Sequence, residues 1–406
     1  MDTLPFMFGL LAYVVAGRLV MRWLDGGVRE MIFAALNLAG VYGILFYGGN
    51  TYYTLRFLVY VVLVAFQFLT LRLFAERGGW LPWLAFFTPL AGLFFFRYLP
   101  ASCFQAVSAA MGLKFPGIPA MIGLSYLAFR CSRLVLEVRN GAVKRPTFWE
   151  YLNFSFFLPT MSIGPINTFA NFRRGFESVP YAVPVGRAAL RILVGAVKYQ
   201  CLGNLCNQLA YAGLLLDGHP HPWLDLPVAM VFYYLYLYCN FSGFCDIAIG
   251  AAALIGIPVP ENFDNPFAAR NLKEFWSRWH ITLSQYMRDV VFSPLSKYLV
   301  RVMGVRFADH AIALTILVVF LLVGIWHGVG WNYVALGATQ ALGVVTTHYY
   351  TIFLKKRLGR EGFKAYNQNR WIHAVAVVLT FCYVTASLLF IANTFPQIRE
   401  ILSILK

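Results

Sequence analysis

The chain has 406 residues, 60% of them hydrophobic, 17% aromatic and only 12% charged, with a mean hydropathy of +0.65. That composition is the signature of a polytopic membrane protein and leaves no stretch for a soluble domain. The net charge of +16 is scattered among apolar runs. It reads as basic loops retained on the cytoplasmic side, with a docking face for an anionic ligand or partner as the sharper alternative, and it argues against nucleic-acid binding.

A helix crosses a bilayer core with about 20 apolar residues. Runs of that kind fall at residues 4–24, 31–48, 53–73, 81–98, 118–136, 148–165, 192–216, 226–257, 312–326, 331–353 and 372–392. The expected fold is therefore all-α, with about 11 transmembrane helices plus interfacial or re-entrant helices, in one domain over 1–406. Asp2 alone precedes the first run, and Arg18, Arg22 and Arg29 follow its start. It reads as a retained helix with its N-terminus outside, not as a cleaved signal peptide. Alternation of basic loops then holds until 148–165, which has Arg130, Arg133, Arg139, Lys144 and Arg145 before it and Arg173, Arg174, Arg187 and Arg191 after it. Both flanks cannot be cytoplasmic if that run crosses. Its sequence SFFLPTMSIGP, with two prolines and a glycine, suits a broken helix lining a protein cavity. On this footing the acidic loop 217–225 lies outside, and the basic stretches 270–306 and 355–370 lie in the cytoplasm.

The seven cysteines, Cys103, Cys131, Cys201, Cys206, Cys239, Cys245 and Cys382, form no C-x-x-C and read as small hydrophobes. In DGHPHPWLD, His219 and His221 with Asp217 and Asp225 suggest a metal, but two prolines in a short loop hinder convergent ligation and a polar turn explains them as well. No metal site is expected. Within YLYCNFSGFCDIAIG, Asp246 is an intramembrane carboxylate, equally readable as a functional group or as half of a structural ion pair. Asn240 and Ser242 would share a polar network with it.

The chemistry concentrates between residues 260 and 331. Residues 273–291 have helical spacing, with Trp276, His280, Leu283, Met287 and Val291 on one face of an amphipathic helix. After the uncharged run 311–323 comes GIWHGVGW, which sets His327 among Gly324, Gly328 and Gly330. Glycines there admit a neighbouring backbone or a substrate close to the imidazole. Histidine is the side chain best suited to taking and returning a proton near neutral pH. Taken singly, either histidine is equally a packing residue satisfied by a backbone carbonyl.

FWSRWHITLSQYMRD and GIWHGVGW together resemble the two signature blocks of the membrane-bound O-acyltransferase family, in its bacterial branch that modifies cell-envelope polymers. The likeness extends through YLYCNFSGFCDIAIGAAALIGIPVPENFDNPF and FFLPTMSIGPI, and more faintly GLSYLAF, giving a signature core of about 118–350. It implies an O-acyltransferase with His327 as the catalytic histidine and His280 in support. Trp276, Trp279, Arg278, Asn240, Ser242, Asp246, Trp326, Trp331 and Asn332 are the substrate-tunnel candidates. His327 would take the proton of an attacking hydroxyl, and His280 or a backbone amide would polarise the developing oxyanion. No G-x-S-x-G is present, which favours direct transfer over an acyl-enzyme.

The implied donor is a thioester, on a phosphopantetheinyl carrier protein or coenzyme A, on the cytoplasmic side. The implied acceptor is a polymer or accessory acyltransferase outside the bacterial inner membrane, and no bound cofactor is expected. The stretch SPLSKYLV lacks the glycine pair common in alginate O-acetyltransferases, so D-alanyl transfer to teichoic acid is preferred to polysaccharide O-acetylation. A transporter or flippase is the alternative of another class. It would predict matched broken helices in two halves, which the sequence lacks.

Overall fold

The computed structural model describes residues 3–46, 51–98, 123–177, 184–211 and 221–404. Among these the regular structure is helical, apart from one isolated antiparallel bridge between Phe263 and Trp279. Among the described residues six helices are long and apolar enough to cross a membrane: Gly26–Phe46, Arg56–Phe74, Leu81–Tyr98, Trp223–Ile255, Val305–His327 and Arg370–Ala392. Each overlaps one of the eleven apolar runs. Of the other five runs, 118–136 and 192–216 extend into residues outside the described ones, and 148–165 is broken.

The described residues group into two compact units, Met1–Gly195 with Phe244–Pro260, and Ala196–Gly243 with Glu261–Lys406. The first contains α1 (Thr3–Trp23), α2 (Gly26–Val41), α3 (Thr51–Phe74), α4 (Leu81–Tyr98), α5 (Leu124–Arg139), α6 (Phe148–Ser155), α7 (Phe169–Glu177) and α8 (Val185–Ala196). On α3, Leu58, Val62, Phe66 and Leu69 recur every three or four residues and are all exposed. For a membrane helix that stripe is the lipid-facing side.

The run at 148–165 breaks for identifiable reasons. Thr147 and Glu150 close a capping box that starts α6, and Pro159 then confines the chain to one 3-10 turn at Leu158–Thr160. The freed backbone groups stay buried and need partners. Arg130, 1% exposed, serves one of them, donating to the Ser155 carbonyl at 3.0 Å, and donates also to the side-chain Thr160 Oγ1 at 3.0 Å. Tyr13, Asn37 and Asn153 continue the polar seam through bonds of 2.6 and 3.0 Å.

The second unit holds α9 (Gly203–Gln208), the first part of α10 (Pro222–Ile255) up to Gly243, and then α11 (Leu272–Arg278), α12 (Ile281–Met287), α13 (Ser293–Met303), α14 (Ala308–His327), α15 (Trp331–Gln368), α16 (Arg370–Ser387), α17 (Leu389–Ala392) and α18 (Phe395–Ile404). The amphipathic helix expected over 273–291 is not continuous. It stops at Arg278, restarts at Ile281, and widens to a π-helix at Arg288–Phe292. Helical spacing in the sequence survives such a break because both halves bury the same apolar side.

Candidate active site

The break between α11 and α12 creates the position of His280. Asn271 caps α11 by accepting the Glu274 N–H at 2.9 Å. Seven residues later the chain is drawn out of the helix by residues 262–264, which run antiparallel to it. Asp264 N–H donates to the Arg278 carbonyl at 2.9 Å and Ile281 N–H to the Asn262 carbonyl at 3.0 Å. To re-enter a helix after this bridge the backbone passes through the left-handed region at His280, φ 45° and ψ 53°. That conformation costs a non-glycine residue about 1 kcal/mol, so the surrounding bonds hold it.

The His280 side chain is 4% exposed. The Phe241 ring meets it edge-on at 4.7 Å, and the Trp326 indole lies 6.2 Å away. His327 ends α14, half-buried, with its ring 4.7 Å from the same indole. Two histidines separated by 47 residues in sequence (327 − 280) thus share one tryptophan. Burial pushes the His280 imidazole down to about 3, and the neighbouring His327 opposes its charge further. His280 is neutral at any physiological pH.

The glycines around His327 serve helix packing. A Cβ at Gly324 would lie 2.3 Å from the Tyr333 carbonyl, and one at Gly337 2.5 Å from the Phe320 carbonyl, so α14 and α15 touch backbone to backbone. A Cβ at Gly328 would enter the Tyr333 ring at 2.2 Å. The close neighbour is α15.

The tunnel candidates divide by surroundings. Trp276 donates its indole N–H to Gln340 Oε1 at 3.1 Å, and Gln340 Nε2 donates to Ser387 Oγ at 2.6 Å. Trp279 stacks on Phe275 at 5.6 Å, and Arg278 is held by Glu274 at 2.7 Å. Asn332 donates to the Phe390 carbonyl at 3.0 Å, while Trp331 is 77% exposed. Ser242 is buried on α10, and half-buried Asn240 has its backbone against Gly203. Asp246, in the first unit, takes both Nε and Nη2 of Arg191 on one oxygen at 3.0 Å, the structural ion pair. Beside Trp276 a cavity of about 270 Å³ runs between α11, α12 and α14, lined by Leu283, Met287, Phe320 and Val323 with Lys273 and Arg288 in its wall. Lys273 is itself braced, donating to His348 Nδ1 at 3.1 Å while His348 Nε2 faces Asp309 at 3.4 Å.

Among the described residues no three His, Cys, Asp or Glu side chains gather as a metal site. Asp217 and His219 lie outside them, and His221 donates its backbone N–H to Asp225.

The family model for MBOAT, the membrane-bound O-acyltransferase family, matches residues 50–389. The chain belongs to the membrane-bound O-acyltransferase family. It is 32% identical over 283 residues to a teichoic acid D-alanyltransferase of Streptococcus thermophilus, covering 66% of this chain and 67% of the relative. The corresponding protein of Bacillus subtilis is 29% identical over 270 residues, 65% of this chain and 67% of its own length. A probable alginate O-acetylase AlgI of Pseudomonas aeruginosa is 27% identical over 225 residues, 54% and 41% respectively. This acyltransferase is therefore a multi-pass membrane enzyme that moves acyl groups to hydroxyls.

Sequence reading did not single out Asn262, Thr282 or Gln340, three buried polar residues that hold the signature blocks in place. The signal for Asn262 was its place in the matched run PENFDNPF. Its partners, 18 and 20 residues downstream, follow no helical or strand period.

Proposed function

We propose that this acyltransferase carries a D-alanyl group from a phosphopantetheinyl carrier protein on the cytoplasmic side towards a hydroxyl-bearing envelope polymer, across the bacterial inner membrane. The supporting observation is the pairing of His280 and His327 on one indole, close in sequence to a cavity with two cations in its wall. D-Alanyl is favoured over acetyl because the likeness to the D-alanyltransferases, 32% and 29% identical, spans 66% and 65% of this chain, against 54% at 27% identity for the alginate acetylase. Acetyl transfer from coenzyme A to a polysaccharide is the second reading, supported by that weaker likeness.

In the reaction the acceptor oxygen forms a bond to the thioester carbonyl carbon while His327 takes the hydroxyl proton. The tetrahedral intermediate collapses with cleavage of the C–S bond. The departing thiolate recovers the proton from the His327 imidazolium, so the enzyme ends as it began. Lys273 and Arg288 would attract the anionic carrier or its phosphodiester. An extracytoplasmic accessory acyltransferase or the polymer itself receives the group.

The test is transfer by purified enzyme in liposomes, with D-alanyl-carrier protein and acetyl-CoA as alternative labelled donors. His327→Gln is expected to lower transfer by roughly a hundredfold to ten-thousandfold, the usual contribution of a positioned base, while eluting and melting like wild type. A well-folded variant that transfers at the wild-type rate would end this reading.

A further inference from the structure

Asn262 grips three consecutive residues. Its backbone carbonyl accepts from Ile281 N–H at 3.0 Å. Its side-chain oxygen meets Thr282 N at 3.1 Å, Thr282 Oγ1 at 2.9 Å and His280 Nδ1 at 3.2 Å. All three side chains are buried, Asn262 at 0%, Thr282 at 1% and His280 at 4% exposure. A backbone N–H can only donate, so the Asn262 atom facing Thr282 is the carbonyl oxygen and not the amide nitrogen. That oxygen offers lone pairs alone. Its bond to His280 Nδ1 therefore requires the hydrogen on Nδ1. In a neutral imidazole the other nitrogen then bears a lone pair.

We infer that Asn262 is a positioning residue that locks His280 in its Nδ1–H form, so that Nε2 enters the site as a hydrogen-bond acceptor. The left-handed backbone at His280 and the bond from Ile281 fix where the ring starts, and the Asn262 oxygen fixes its rotation. Burial and the nearby His327 keep the ring from gaining a second proton. This replaces the role expected from the sequence, because a lone pair turned to a developing oxyanion repels it. His280 instead accepts from an O–H or N–H brought beside His327, and the oxyanion is left to another donor. The tautomer stands on the hydrogen bonds alone. Its use in transfer rests on the function proposed above.

The experiment is nitrogen NMR of full-length enzyme in nanodiscs with ring-15N histidine, His280 being assigned by difference from His280→Gln. Two-bond couplings distinguish the nitrogens, since Nε2 couples to both ring C–H protons. The expected signature is a protonated, pyrrole-type Nδ1 with a bare, pyridine-type Nε2; a pyrrole-type Nε2 overturns the proposal. In Asn262→Leu the His280 tautomer should shift towards Nε2–H, and an unchanged tautomer would show that Asn262 does not set it. If the leucine variant fails to fold, Asn262→Asp decides. A carboxylate accepts the same three donors, so Nδ1–H should persist while the His280 titration midpoint rises by about one pH unit or more. An unmoved midpoint overturns the lock.

Transfer from D-alanyl-carrier protein supplies the second readout, with Asp expected to restore most of what Leu loses. An NMR lock without any transfer defect in the leucine variant would defeat the function assigned to the acceptor and leave the tautomer standing.

Discussion

His280 makes the chain sensitive to acid in a calculable direction. Its imidazole in the folded protein is depressed from 6.5 to about 3 by burial first and by His327 second, so the unfolded chain binds a proton that the folded one refuses. Stability therefore rises with pH across that window and is lost as pH falls below about 6.5, by up to roughly 1.4 kcal/mol per unit from this group. Melting temperatures in detergent at pH 7.5 and pH 5 are expected to differ, and His280→Asn, which tolerates the left-handed backbone, should shrink the difference. An equal drop in wild type and variant would assign the acid sensitivity elsewhere. At this scale the sequence was informative about residue type and less so about detail. His280 and His327 were legible because two histidines stand in apolar blocks rich in tryptophan. The hydrogen on Nδ1 was not, because it depends on Asn262, whose oxygen reaches His280 only after the chain has folded back on itself.

Among the elements, α14 and α15 share a close backbone seam. Gly324 faces the Tyr333 carbonyl and the backbone of Gly337, so a methyl there meets main chain that cannot swing aside. Gly324→Ala is expected to lose about 1–3 kcal/mol and to reduce transfer by displacing His327 one turn on. Gly186→Ala, whose added carbon meets nothing within 4 Å, is the control and should melt within a degree or two of wild type. A Gly324→Ala variant that melts like the Gly186→Ala control would mean that the seam accommodates the methyl and does not govern stability. The sequence reading placed glycines beside His327 correctly but could not say what approached them, since that neighbour is fixed by the packing of α15. It also joined α11 and α12 into one helix. Periodicity cannot reveal a break whose cause is a backbone pairing with residues 262–264, whereas Pro159 and Gly164 announce the break after α6 by residue type alone.

For the whole molecule the membrane is the organising solvent, and charge decides which ends of the helices face which side. Residues 270–306 carry seven basic side chains, Arg270, Lys273, Arg278, Arg288, Lys297, Arg301 and Arg306, against Glu274 and Asp289. Glu274, shared by Arg270 and Arg278, offsets one of the seven charges locally, and the remaining excess still favours the cytoplasmic side. The stretch includes none of the long apolar helices before Val305, so its whole length should lie on one side. Tyr298 on α13, 62% exposed, is a suitable reporter. With all seven native cysteines replaced, among which Cys201 and Cys382 are exposed in the described residues, Tyr298→Cys should resist an impermeant maleimide in intact cells and react once the membrane is opened. Labelling from outside intact cells would reverse the orientation and place the two cations of the cavity wall, Lys273 and Arg288, where no cytoplasmic thioester could reach them.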